Sequence, residues 1–188
     1  VIMKSKKENE DFNRVQADLK ANGFREKDVT IPSGKAMVLG IVYALPFVIT
    51  WGLLYRFLLI ERAHLSEIGG LSFYIMFIAI IAVSVVIHEL LHGIGWAIAS
   101  GKGWKVVRFN INAMLPSCAC EVVLRKQPYL IGVLAPFVVL GSGSMLFVFV
   151  YPGTVSLLTL MVNFIAAGAD LLIAVNVLRE GNCLIADH

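Results

Sequence analysis

The chain has 188 residues, enough for one domain or one small bundle. A hydrophobic content of 58%, a mean hydropathy of +0.79 and only 15% charged residues exclude a water-soluble domain of this length. The formal net charge of +3 gives no basis for nucleic-acid binding, and the odd set Cys118, Cys120 and Cys183 argues against a disulfide scaffold and for reduced, structural thiols.

Residues 1–35 are polar and lack the apolar core of a secretory leader, so no cleaved segment is expected. The chain opens on Val1, as an internal piece of a longer chain would. Phe12, Val15 and Leu19 recur at helical spacing and Gly23 follows as a C-cap, which predicts a short amphipathic helix at about 9–22. Such a helix either lies on the membrane surface or precedes the body as a soluble helix. The expected organisation is a cytoplasmic segment over 1–35 and a membrane-embedded domain over 36–188.

Four apolar runs follow, at 36–60, 71–100, 129–151 and 155–178. Each exceeds the roughly 20 residues that cross a ~30 Å hydrocarbon core. The predicted fold is therefore an all-α polytopic membrane protein with four transmembrane helices. Pro46 is an expected kink in the first run, Pro136 lies inside the third, and the fourth carries Asn163, Asp170 and Asn176. Lysine and arginine gather before the first run (Lys4, Lys6, Lys7, Arg14, Lys20, Arg25, Lys27, Lys35) and in the 101–128 loop (Lys102, Lys105, Arg108, Arg125, Lys126). The 61–70 loop holds only Arg62. By the positive-inside tendency, both termini and the middle loop face the cytoplasm of a multi-pass cell-membrane protein. Within that loop, 104–109 (WKVVRF) and 119–124 (ACEVVL) are β-prone and predict a short cytoplasmic β-hairpin between spans two and three.

Ser84 to Ser100 reads SVVIHELLHGIGWAIAS and sets His88, Glu89 and His92 inside the second run. Ionisable side chains at membrane depth are expensive and mark function. On a helix His88 and His92 share a face, about 6 Å apart in rise, so both rings can reach one ion. Zn²⁺ suits neutral imidazoles with an oxygen ligand. Glu89, next to a ligand in this HExxH spacing, can take a proton from water attacking a carbonyl and return it to the leaving amine. The competing reading is a pair of histidines satisfied by neighbours in a bundle.

A catalytic zinc takes a third protein ligand. His64 lies in the outer loop, Glu121 in a predicted strand, and Asp187 and His188 at the C-terminus. Asp170 is the only acidic residue within the other three runs, nine residues before Arg179, just as His92 is nine residues before Gly101. Both positions fall about 13 Å inside the cytoplasmic end at 1.5 Å per residue. A lone Asp there costs about 2.5–3.5 kcal/mol on insertion scales, which a shared zinc would offset. The alternative for Asp170 is a polar lock with Asn163 or Asn176, and small residues Ala166 to Ala169 suit a close helix approach in either case.

With HELLHG at 88–93 and Gly168-Ala169-Asp170 in a later span, the chain resembles membrane-embedded site-2-type zinc proteases. More closely, it resembles the bacterial family known as domain of unknown function 3267, the putative zincin peptidases. The likeness takes in IPSGKAMVLG at 31–40, PSCACEVVL at 116–124, QPYLIGVLAPFVVLG at 127–141 and the terminal Asp187-His188. It implies His88, His92 and Asp170 as zinc ligands and Glu89 as the catalytic acid/base. The setting Ala169-Asp170-Leu171 differs from the Leu-Asp-Gly usual in site-2 proteases. The resulting expectation is a zinc metalloprotease acting on a membrane-associated protein near the cytoplasmic face. Its rivals are a non-catalytic zinc-binding regulatory membrane protein and a haem or metal-transport protein. Haem fits poorly, because both motif histidines share one helix.

Overall fold

The computed structural model describes residues 14, 17–23, 25, 27, 31–62, 70–112 and 115–186. The chain forms two compact units, Val1–Ile31 and Pro32–His188. In the first unit, residues 14 and 17–21 are helical, and the chain turns at Gly23 with φ 84°. Asn22 Nδ2 donates to the Asp18 carbonyl at 2.8 Å, closing the last turn. Asn22 is already in the turn, and residues 9–13, 15 and 16 of the helix expected at 9–22 lie outside the described residues.

In the second unit, helix α1 (Ser33–Leu54) starts after Pro32, whose fixed φ suits a helix entry. It runs through Pro46, and its departure from α geometry comes later, as a π turn over Tyr55–Leu59 and a 3-10 turn over Ile60–Arg62. Helix α2 (Gly70–Ala99) ends at Gly101, whose φ of 68° supplies the left-handed residue that closes a helix C-terminus. Helix α3 spans Lys126–Val150. The fourth span is broken: α4 (Thr154–Ala166) and α5 (Gly168–Arg179) meet at Ala167, three residues before Asp170. Four segments, Gly34–Arg62, Gly70–Ala99, Lys126–Val150 and Thr154–Arg179, are long and apolar enough to cross a membrane. This is a multi-pass membrane protein. Side chains such as Phe57, Ile78 and Leu146 stand on its exposed surface, where lipid replaces water as solvent.

Strands β1 (Val107–Asn112) and β2 (Leu115–Cys120) form an antiparallel hairpin with Phe109 opposite Cys118. Residues 104–106, expected as strand, belong to a 3-10 turn over Gly103–Val106, and β2 ends where the second strand was expected to begin. A second small pair joins β3 (Leu124–Arg125) to β4 (Leu184–Ile185). Lys126 Nζ donates to the carbonyls of Leu178 and Glu180, capping the C-terminus of α5. None of the three cysteines is bridged to another.

The core falls into two clusters. One, around Trp96, Val106, Cys120 and Tyr129, packs the hairpin against α2, α3 and α5. The other, around Tyr55, Val148, Leu160 and Phe164, packs the far end of α1 against α3 and α4. Between them α1 crosses α5 at backbone distance. A Cβ at Gly40 would stand 2.9 Å from the Ala169 nitrogen, and one at Gly168 would meet the Gly40 carbonyl. Two glycines thus let the first span touch the chain just before Asp170.

Candidate metal centre

Ser84, His88, His92 and Trp96 follow one another at steps of four along α2, and all four are buried. That row lies on the inward face of the helix. Asp170, on the third residue of α5, reaches the same place from the fourth span and is 8% exposed. His88 Nε2 lies 3.0 Å from Asp170 Oδ2, and His92 Nε2 lies 3.4 Å from Asp170 Oδ1. The two Nε2 atoms are 3.2 Å apart, with the rings set edge to face at 80°. The depth matching made from residue counts is thus realised in space. Asn163, the alternative partner for Asp170, instead donates to Ser144 Oγ at 3.0 Å, and Ser144 in turn donates to the Leu140 carbonyl.

Do these atoms suit an ion? Around a tetrahedral zinc with bonds of about 2.0–2.1 Å, neighbouring donor atoms stand about 3.3 Å apart. Each imidazole stands at about that distance from one carboxylate oxygen, His88 from Oδ2 at 3.0 Å and His92 from Oδ1 at 3.4 Å, and the two imidazole nitrogens are 3.2 Å apart. His92 Nδ1 lies 2.9 Å from the Gly132 carbonyl on α3, which only accepts. Nδ1 therefore carries the proton and donates, leaving the Nε2 lone pair for the shared point, as in metal-bound histidines steadied by a second partner. The group His88, His92 and Asp170 can hold a metal ion.

The surroundings hold these groups in place. Trp96 stacks on the His92 ring at 5.4 Å and 17°, while its Nε1–H donates to the Tyr129 carbonyl at 3.2 Å. Gly132 has no room for a side chain, since a Cβ there would overlap the Trp96 indole. Glu89, one residue on from His88, is half-buried on the hairpin side. Its Oε2 accepts the backbone N–H of Cys118 at 2.6 Å, which turns the outer edge of β2 toward the carboxylate. Glu121 stays on the surface, paired with Arg108 at 3.2 Å. His64, Asp187 and His188 lie outside the described residues.

A family model described as "Putative zincin peptidase", domain of unknown function 3267, matches residues 81–185. The chain belongs to this family. No curated protein and no solved structure matches the chain. The matched stretch of this zincin-family chain contains His88, Glu89, His92 and Asp170, and the family points to a metallopeptidase with zinc as its metal. It begins after α1, although Gly40 of α1 contacts the backbone beside Asp170.

Sequence reasoning did not reach Gly132, Trp96 or the Cys118 N–H. Two of these act through backbone atoms and leave no side-chain pattern. For Trp96 the signal was present, an aromatic residue four positions after His92 on the same helical face.

Proposed function

We propose that this protein is a membrane-embedded zinc metalloprotease that hydrolyses a peptide bond of a membrane-associated protein near the cytoplasmic face. His88, His92 and Asp170 hold the zinc, and Glu89 is the general acid/base. The observation that carries this reading is the convergence of three buried residues, His88, His92 and Asp170, whose nearest donor atoms are 3.0–3.4 Å apart, beside a half-buried glutamate. Zinc held there supplies Lewis acidity, polarising a carbonyl and acidifying water. Glu89 takes the proton of the attacking water and hands it to the departing amine, so the Cys118 N–H that fixes its Oε2 also aims the proton transfer.

The lysine and arginine pattern supports a cytoplasmic position for the hairpin and both termini. A helical substrate shields its own peptide bonds, so the segment to be cut is extended when it reaches the site. The strand edge nearest Glu89 is that of β2, and an extended segment laid along it comes within reach of the carboxylate.

Glu89→Gln tests the function. The variant keeps the shape of the side chain and its acceptor for Cys118, so it retains zinc. Loss of the acid/base lowers cleavage by about 10²–10⁴-fold. Labelled casein, together with mass spectrometry of new N-termini in membranes from cells expressing either form, reads the difference. Equal cleavage and equal cellular function in the two forms would favour the non-catalytic zinc-binding reading.

A further inference from the structure

Helix α3 contains a proline, Pro136, that is fully buried and lies four residues after Gly132. In an α-helix the carbonyl of residue 132 accepts the N–H of residue 136. Proline has no N–H, so the Gly132 carbonyl has no intrahelical donor. At membrane depth such an acceptor is costly until another donor meets it. The His92 Nδ1–H meets it, at 2.9 Å.

The neighbouring Tyr129 carbonyl provides an internal comparison. Its helical donor, the N–H of Val133, is present, and the bond it accepts from Trp96 Nε1 is longer, at 3.2 Å. Gly132 adds the second half of the arrangement. A side chain at 132 would collide with Trp96, which stacks on the His92 ring.

We infer that Pro136 is a positioning residue of the metal centre: by withholding a backbone donor it frees the Gly132 carbonyl to hold His92 with Nε2 unprotonated and turned to His88 and Asp170. The inference rests on His92 as a zinc ligand. The cost of the proline to its own helix is offset because the vacated acceptor serves a side chain on another helix.

The test replaces Pro136 by Ala, with Pro136→Gly as a second variant that restores the same N–H with less volume to fit. Pro46→Ala is the control, since it restores a donor to the carbonyl of Val42, whose side chain is exposed on the lipid side of α1. Zinc affinity in detergent or bilayer discs is measured by competition with a chelator, and thermal melting of the metal-free protein is measured beside it. Pro136→Ala and Pro136→Gly are expected to weaken zinc binding by about 10–100-fold, the usual cost of losing a ligand's supporting bond. Metal-free melting is maintained or rises, because a helix-weakening proline has gone. Pro46→Ala leaves zinc affinity unchanged.

Zinc affinity within twofold of wild type in both Pro136 variants overturns the inference, as does a loss matched by an equal loss in Pro46→Ala. Should both Pro136 variants misfold, solid-state nitrogen-15 NMR of histidine-labelled wild type decides. A metal-free His92 protonated at Nδ1 upholds the inference, and one protonated only at Nε2 overturns it. His92→Ala separates the two levels of the argument: if it binds zinc as wild type does, the ligand assignment itself fails.

Discussion

Replacing Asp170 by Asn keeps the volume and one oxygen but removes the charge, so it separates a ligand from a polar lock. Asp170 is buried against two imidazoles at 3.0 and 3.4 Å, and as one of three protein donors it carries a large share of the affinity. Four-ligand structural zinc sites bind with about 10–16 kcal/mol, so one ligand accounts for about 2.5–4 kcal/mol, or roughly 10²–10³-fold in Kd. The assay is the gain in stability on adding saturating zinc, measured for each protein against its own metal-free form. By linkage, a 100-fold weaker site gains about 2.7 kcal/mol less. Comparing gains cancels whatever Asn does to helix packing. If Asp170→Asn lowers stability with and without zinc alike, and the zinc-dependent gain equals that of wild type, Asp170 is a lock between spans two and four and the metal centre is misassigned.

Gly40→Ala places a methyl group 2.9 Å from the Ala169 nitrogen, so α1 and α5 must separate close to Asp170. Overpacking of this kind costs about 1–3 kcal/mol, and zinc affinity measured by chelator competition should fall with it. Gly52→Ala, on the same helix with open space around the added carbon, should leave both unchanged. Arg108→Ala breaks a surface pair whose side chains are 39% and 43% exposed, and melting should move by less than about 1 kcal/mol.

The spans were legible because hydrocarbon imposes a length and a composition that no soluble helix needs. Asp170 was legible for a related reason: a lone acid in an apolar run has few partners, and counting back from Arg179 and Gly101 put it level with His92. The hairpin was displaced by about three residues because Pro116 reads as a strand breaker. In the structure Pro116 faces Ile111 inside β2, on the same side of the alternation as Cys118, whose N–H points away from β1 to Glu89. A proline there removes no ladder bond. The break at Ala167 escaped notice because the alanines around it favour helix, and the close crossing by Gly40 that accompanies it depends on a helix more than 100 residues earlier in the chain. The β3–β4 pair joins residues 124–125 to 184–185, a contact no local pattern records.

Helix α2 carries a mechanical consequence. Its 30 residues make a rod about 45 Å long, against a hydrocarbon layer of about 30 Å. Every fully buried side chain on it lies at or beyond Ser84, whereas over the roughly 20 Å from Gly70 to Val83 protein covers only part of the stripe Phe73, Met76, Phe77 and Ile80. A rod packed tightly at one end and only loosely at the other responds to the thickness of its surroundings as a lever does, and its tightly packed end is the half that carries His88. A change in bilayer thickness is therefore expected to reach the metal centre through this helix.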